Sequence, residues 1–370
     1  MKTILVLGST YNSLENFRGK LIKELIIKKN KVIVSSGDSR EKFLYLEENL
    51  KVFHHKIYLN RHSLNPFNEI ISVFSILFLI LKSKPDIILS YTIKPNMYVG
   101  LINLFTNKHF YPIVTGLGYV FYGKKNFLIK SIIIFLIKIS FKSSKKVFFQ
   151  NNDNLKVFTK NNMIKKRNAI VVPGSGIDTE FYNYSKLPET QLTFLMISRL
   201  IKEKGVIEFI LAANIIKKRY KNIYFNLLYS LDNESKDSLK IEYINSLIIN
   251  NSVKLISEKK DVRIYIKNSH VFVLPSYHEG LPRSNLEAMS IGRAILTTDV
   301  SGCRDTIIHN YNGYIIKHNS IFSLTKGILK MIKNKEKIEK MGKNSRIYAE
   351  NNFHYKIINE KIINTLLNKN

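Results

Sequence analysis

"HVFVLPSYHEGLPRSNLEAMS", residues His270–Ser290, holds the smallest complete unit of this chain's architecture. "HVFVLPS" is a short β-branched and aromatic run that stops at a proline, as a buried strand does. "HEGLP" then reads as a tight turn, with Gly280 free to take backbone angles closed to other residues. Ser284-Asn285-Leu286-Glu287 fits a capping box, with Ser284 at the N-cap and Glu287 at N3, so a helix is expected to start there. Strand, turn and helix in so few residues make one βα step of a parallel sheet.

The same grammar repeats in both directions. Upstream, "KTILVLG", "NKVIVSSG", "PDIILSYT", "FYPIVTG", "KVFFQN" and "AIVVPG" are short apolar strands, and "NFRGKLIKELIIKK" between the first two has helical spacing. A polar stretch without periodicity, Gly176–Gln191, interrupts the pattern. It then restarts with strand "LTFLMISRL", helix "GVIEFILAANIIKKRY" and strand "NIYFNLLYS", and after the opening stretch comes strand "AILTTD". The expected organisation is a Rossmann-like domain over 1–175, a linker over 176–191, a second Rossmann-like domain over 192–350, and a helix over 351–370 crossing back to the first. Ligands of such sheets sit at the carboxyl ends of the strands, and between two halves that means a cleft.

Length and composition agree. The chain has 370 residues, more than one compact core usually organises. With 45% hydrophobic and 23% charged residues it is ordinary globular material rather than a disordered chain. Its single cysteine, Cys303, rules out an intramolecular disulfide and a cysteine-only metal site, which favours a reducing compartment. The N-terminal apolar run is too short for a secretory signal and reads as a strand. Lys and Arg total 58 against 28 Asp and Glu, a formal net charge of +30. Such a field favours anionic partners, although lysines interleaved with Asn and Ile also fit compositional drift.

Two apolar stretches bear on membranes. Ile70–Leu81 is too short to span a bilayer, which needs roughly twenty residues, and is expected to be a buried helix covering the first sheet. In Phe127–Lys142, Lys130, Lys138 and Lys142 fall within an arc of about 120° on a helical wheel and the rest is almost wholly apolar. That pattern fits an interfacial helix facing anionic head groups as well as a buried one.

The two carboxylates of the opening stretch are the odd feature in so basic a chain. Glu287 has a sufficient local role as a cap, and Glu279 one as a solvated loop residue. Arg199 and Lys204 alone would pass for a surface cluster.

Together these residues resemble a family. "VFVLPSYHEGLPRSNLEAMSIGRAILTTDVSGCRDTI", "NGYII" and "ISRLIKEKG" are similar to the donor-site motifs of glycosyltransferase family 4, the retaining enzymes of the GT-B fold. The resemblance implies an α/β, GT-B architecture of two Rossmann-like domains facing across a cleft. It aligns the family's E-x7-E pair with Glu279 and Glu287, and its diphosphate-binding Arg and Lys with Arg199 and Lys204. In "NFRGKLIKEL", "YTIKPNMYVGL" and "IVTGLGYVFYG" the first half resembles a narrower branch, the bacterial transferases that extend an undecaprenyl-diphosphate-linked saccharide, N-acetylgalactosaminyl transferases among them. "PGSGID" resembles the family's interdomain segment. His278 and Ala294 depart from the usual Arg and Pro.

Roles follow from the resemblance. Arg199 forks onto phosphate oxygens, Lys204 adds a point charge, and the helix starting near Gly205 presents its N-terminus to the departing UDP without a metal. Glu287 accepts from the ribose hydroxyls and Glu279 from the hexose, with the Gly280 and Leu281 amides close by. Arg283 is expected to face solvent, and His278 to be a bystander. In the first domain the cleft candidates are Asn16, Arg18, Thr115, Gly116 and Gly118. Arg18 at the front of a helix is unfavourable for the dipole and hints at an anionic partner.

The activity implied is transfer of a hexose or N-acetylhexosamine from a UDP-sugar to a lipid-diphosphate-linked saccharide in capsule, O-antigen or protein-glycan assembly. No cofactor beyond the UDP-sugar co-substrate is expected, and no catalytic base stands out. The expected location is the cytoplasmic face of the membrane, held peripherally through Phe127–Lys142. A UDP-N-acetylglucosamine 2-epimerase-like enzyme shares the architecture but lacks a convincing acid/base carboxylate set here. A nucleic-acid-binding protein would fit the charge, yet no zinc pattern, recognition aromatics or basic tail accompany it.

Overall fold

The computed structural model describes residues 1–38, 52–59, 65–117, 127–232, 235 and 237–367. The chain divides into two compact units, Met1–Ser175 with Tyr355–Asn370, and Gly176–His354.

The first unit carries strands β1 (Thr3–Leu7), β2 (Lys31–Ser36), β3 (Phe53–Lys56), β4 (Ile87–Tyr91), β5 (His109–Val114), β6 (Val147–Phe149) and β7 (Ala169–Val171). They form one sheet in the order β3-β2-β1-β4-β5-β6-β7. All pairings are parallel: Leu5 lies beside Ile33 on one side and Ile88 on the other. Its helices are α1 (Tyr11–Ile27), α2 (Pro66–Ser83), α3 (Ile93–Thr106), α4 (Phe127–Phe141) and α5 (Asn152–Lys160).

Alternation along the strands sends side chains to two separate cores. Ile4 and Val6 pack with Leu14, Leu21 and Leu25 of α1 on one face. Leu5 and Leu7 pack with Ile76, Leu79 and Ile80 of α2 and Val99 of α3 on the other. That second layer continues into α4, where Ile137 and Phe141 join Val114, Val147 and Phe149.

The second unit holds β8 (Thr193–Arg199), β9 (Tyr224–Ser230), β10 (Lys254–Ser257), β11 (Val271–Leu274), β12 (Ala294–Thr298) and β13 (Gly313–Ile316). Their order is β10-β9-β8-β11-β12-β13, again parallel, with Phe194 beside both Phe225 and Val271. The helices are α6 (Val206–Arg219), α7 (Ile241–Leu247), α8 (Arg263–Lys267), α9 (Arg283–Ile291), α10 (Ile321–Lys333) and α11 (Lys335–Phe353). A last helix, α12 (Tyr355–Leu367), belongs to the first unit. There Ile358, Ile362, Ile363 and Leu366 enter the α1 core, and Asn359 Nδ2 donates to Glu24 Oε1 at 2.9 Å.

Several expectations need revising. The segment 176–191, read as linker, is bonded into the second unit: the Ser185 amide donates to the Ile291 carbonyl at 3.0 Å, and buried Arg293 reaches the Ser185 and Lys186 carbonyls. Strands β3, β10 and β13 add to those expected. β3 and β10 stand at the sheet edges, where half-exposed positions take polar residues and dilute the apolar signal.

The opening stretch is revised as well. Helix α9 begins at Arg283, one residue before the expected N-cap, Ser284. Pro282 is its N-cap, at φ −72°, and no side chain caps the first turn. Proline's fixed φ lets the helix start directly after it, so Ser284 is already helical and Glu287 lies beyond the first turn. There is no capping box.

Ile70–Leu81, expected to be buried, is buried on one side only. Ser72, Ile76, Leu79 and Ile80 face the sheet, while Phe74 and Phe78 are 64% and 68% exposed.

Candidate active site

In the second unit, the loops leaving β8, β9 and β11 carry the charged groups singled out in the sequence. Arg199 is the last residue of β8, and the register sets it beside Ser230, the end of β9. Its guanidinium is ion-paired with Asp232, in the loop just past β9.

After β8 the chain makes a 3-10 turn, Lys202–Lys204, and passes through Gly205 into α6. Gly205 has φ +75°, and a Cβ there would lie 2.3 Å from the Pro275 carbonyl oxygen. Only glycine fits. This contact seats the β8 loop against the β11 loop, where the Tyr277 amide and Ser276 Oγ donate to the Glu203 carbonyl at 2.8 and 3.2 Å. As a result the Lys204 ammonium is ion-paired with Glu279; the two side chains are 18% and 13% exposed. The N-terminus of α6, fourteen residues long, opens at the same turn with no side-chain cap bond.

Glu279 is further fixed from β12. Its amide donates to the Ser301 carbonyl at 3.3 Å. Gly302, at φ +77°, lets that loop come so close that a Cβ would lie 2.5 Å from the Gly280 carbonyl oxygen. Leu281 packs on the core beneath α9. His278 is set beside Glu203, Nε2 to Oε2 at 3.3 Å, rather than beside Glu279. Tyr277 is held by Glu208 of α6, to which its phenol donates, and its Oη lies 3.1 Å from Asn319 Oδ1.

Glu287 is held instead of capping. Tyr182 Oη donates to its Oε1 at 2.9 Å, and Arg283 Nε lies 3.1 Å from the same oxygen. Arg283, expected to face solvent, is thus partly buried in an i,i+4 pair. Burial raises the Glu287 carboxyl above its usual range, opposed by the Arg283 charge and the Tyr182 bond. Burial and the Glu287 charge in turn drive the Tyr182 phenol upward. Cys303 is buried; desolvation and then the Glu279 charge push its thiol up to about 12, so it stays protonated and is no nucleophile.

Two partners had no signal in the sequence. Tyr182 sits 105 positions from Glu287, in a segment without periodicity. Asp232 is 33 positions from Arg199, and only the strand register shows them to be neighbours.

The first-unit candidates do not converge. Helix α1 starts at Tyr11, with Thr10 accepting from the Ser13 amide at 3.3 Å, so Arg18 is mid-helix and the dipole argument lapses. Arg18 is 3% exposed and its guanidinium lies 4.3 Å from the centre of the Tyr91 ring, at the end of β4. Asn16 is exposed, about 200° around the helix from Arg18 at 100° per residue. Thr115 and Gly116 follow β5, half-buried at the carboxyl edge of the sheet, and a Cβ on Gly116 would meet nothing within 4 Å. Gly118 lies outside the described residues. Among the described residues no group of three or more His, Cys, Asp or Glu is arranged to hold a metal ion.

A family model, glycosyl transferases group 1, matches residues 178–348, the extent of the second unit. The second unit is a group 1 glycosyl transferase domain. Likeness to whole transferases runs well past that domain. The chain is 28% identical over 349 residues, 90% of each chain, to the N,N'-diacetylbacillosaminyl-diphospho-undecaprenol alpha-1,3-N-acetylgalactosaminyltransferase of Campylobacter jejuni. It is also 28% identical to the capsular polysaccharide biosynthesis glycosyltransferase CapM of Staphylococcus aureus, covering 97% of this chain and 95% of CapM. Among solved structures, Anabaena HepE in complex with UDP and glucose superposes with a TM-score of 0.80 at 15% identity, over 99% of each chain. The fold is GT-B; in the transferase domain Arg199, Lys204 and Glu279 stand at or past the carboxyl ends of strands, and Glu287 stands on helix α9.

Proposed function

We propose that the protein transfers a hexose or N-acetylhexosamine from a UDP-sugar to a lipid-diphosphate-linked saccharide during surface-glycan assembly, with retention of configuration. The observation that carries this is the Lys204–Glu279 pair between the β8 and β11 loops. It joins a cation suited to a diphosphate and a carboxylate suited to sugar hydroxyls at one edge of the sheet. The choice of acceptor is supported by the full-length likeness to the Campylobacter enzyme, whose name specifies an undecaprenyl-diphosphate substrate.

In this reading every cation of the donor site has a resting carboxylate partner. The donor diphosphate takes Arg199 and Lys204 from Asp232 and Glu279, and the α6 N-terminus adds oriented N–H groups. Glu279, released, accepts from the hexose hydroxyls, and Glu287 from the ribose. These fixed positive groups, rather than a metal ion, stabilise charge on the departing UDP. The first unit binds the acceptor, with Thr115 and Gly116 at the carboxyl edge of its sheet, and the Phe127–Lys142 region faces anionic lipid.

The test is incubation with a panel of UDP-sugars and lipid-diphosphate-linked acceptors, with product masses and anomeric coupling constants read out, repeated in the presence of a chelator. Product of the added sugar mass with retained configuration is expected. Release of free sugar or an epimerised donor without any acceptor product would overturn the transfer reading, and loss of activity with the chelator would overturn the metal-free one.

A further inference from the structure

Helices α2, α3 and α4 pack side by side on one face of the first unit's sheet, α3 in the middle. Their outward surface is unusual. On α2, Phe67, Ile70, Ile71, Phe74, Phe78 and Leu81 are all exposed. At 100° per residue they fall within an arc of about 100°, a stripe about 21 Å long at 1.5 Å per residue. No charged residue falls on it. Phe105 at the end of α3 is 90% exposed, and Ile132 and Phe135 of α4 are exposed too. An exposed apolar stripe such as that on α2 marks an interaction site.

The rim is basic. Each of these helices returns the chain to the amino-terminal edge of the sheet before the next parallel strand, so Lys82 in the last turn of α2, Lys84 after it, Lys108 after α3 and Lys142 after α4 share one edge. Lys138 stands on the outward arc of α4 beside Phe135. The only acidic residue in the three helices, Glu69, is ion-paired with Lys94 at 2.8 Å.

We infer that this face lies in the surface of an anionic bilayer, with the α2 stripe, rather than Phe127–Lys142, as its main inserting element. The helix is apolar enough over eighteen residues to cross a membrane by composition, but its other side is core: Ser72, Ile76, Leu79 and Ile80 hold it flat on the sheet. It therefore lies in the interface instead of spanning it. The lysine rim selects the occupant. Two copies meeting through this face would bring rim against rim, whereas acidic head groups neutralise it. The inference rests on the lipid-linked acceptor reading for the relevance of a membrane, and moves the anchor from α4 to α2.

The chain has no tryptophan, so one placed on the stripe is a clean reporter. The indole of Phe74→Trp is expected to shift its emission to the blue, and to be quenched by brominated lipid, on adding vesicles of phosphatidylcholine with phosphatidylglycerol. Phe322→Trp, on an exposed site of the second unit, is expected to show neither. Phe74→Glu with Phe78→Glu should lower vesicle affinity at least tenfold and leave transfer to a short-chain, water-soluble acceptor unchanged. Unshifted emission from the Phe74→Trp protein while it sediments with vesicles would overturn the inference, as would a concentration-dependent shift without lipid accompanied by dimerisation. So would a larger loss from Lys138→Glu with Lys142→Glu than from the α2 pair. If no variant, nor the unaltered protein, transfers sugar to any acceptor while the Phe74→Trp reporter still signals insertion, the transfer reading fails and this one stands.

Discussion

Lys204 and Glu279 are ion-paired between the loops that follow β8 and β11, two strands that lie side by side in the sheet. In the proposed reading each is the other's partner until the donor supplies a better one. Both side chains are largely shielded, so the pair is less screened than one on the open surface.

Replacing Lys204 by Ala is therefore expected to weaken UDP-sugar binding by about 1.5–3 kcal/mol, the scale of a charge-assisted bond, or roughly ten- to a hundredfold. Glu279→Ala should spare UDP affinity and lower affinity for the intact UDP-sugar. Calorimetric titration of both ligands on both single variants and the double variant measures this. Strict additivity in the double would mean that the two residues do not work as an exchanging pair.

Arg199 is 41% exposed and Asp232 only 13%. Removing the carboxylate's charge by Asp232→Asn frees the guanidinium at small cost, since half-exposed pairs are worth about 0.2–1 kcal/mol. UDP affinity should rise about two- to fivefold, and the gain should shrink with added salt. A tenfold loss instead would show that Asp232 positions Arg199 rather than merely neutralising it.

Glu287 offers a pH test. Burial raises its carboxyl in the folded protein, the opposite of the usual salt-bridged carboxylate. A raised folded value means that the folded state holds the proton more tightly than the unfolded one. The contribution is thus favourable at low pH and is lost as pH rises from the ordinary glutamate value of 4.5 through the folded one. Glu287→Gln should then match or exceed the parent in thermal stability at neutral pH, with the difference vanishing in acid, while donor binding falls. Tyr182→Phe removes the donated bond at 2.9 Å and should lower donor affinity without a comparable change in acceptor KM. A stability loss at neutral pH in Glu287→Gln would count against burial as the dominant influence.

The two-sheet architecture was legible because fully buried parallel strands such as Val271–Leu274 are continuous apolar runs that no helix face imitates at that length. The placement of the candidate residues was legible for a similar local reason: Arg199 ends a strand, and Lys204 and Glu279 lie in the loops just past one. What sequence could not show was which partner each group meets. Glu287 fitted a capping box on spacing alone, but Pro282 moved the helix start and Tyr182 arrived from 105 positions away. Helix α2 is apolar on nearly every side, so periodicity could not tell its sheet face, Ile76 and Leu79, from its outward face, Phe74 and Phe78. Arg18 read as a cleft cation suited to an anionic partner because its aromatic cover, Tyr91, lies on a strand far along the chain.

Two glycines past strand ends make opposite predictions. Gly205 sits at φ +75° with the Pro275 carbonyl oxygen 2.3 Å from where a Cβ would stand. Gly205→Ala incurs the left-handed backbone penalty, about 1–3 kcal/mol, and must also push the β11 loop away, so Lys204 and Glu279 separate. Both thermal stability and donor binding should fall together. Gly116 has open space at the same position, so Gly116→Ala should leave stability within about 0.5 kcal/mol of the parent. If Gly116 instead lets a substrate approach the backbone, its effect will be confined to kinetics: a higher KM for the lipid-linked acceptor at unchanged melting temperature. A Gly116→Ala protein with unaltered kinetics for both substrates removes Gly116 from the site, because nothing else in its surroundings requires a glycine.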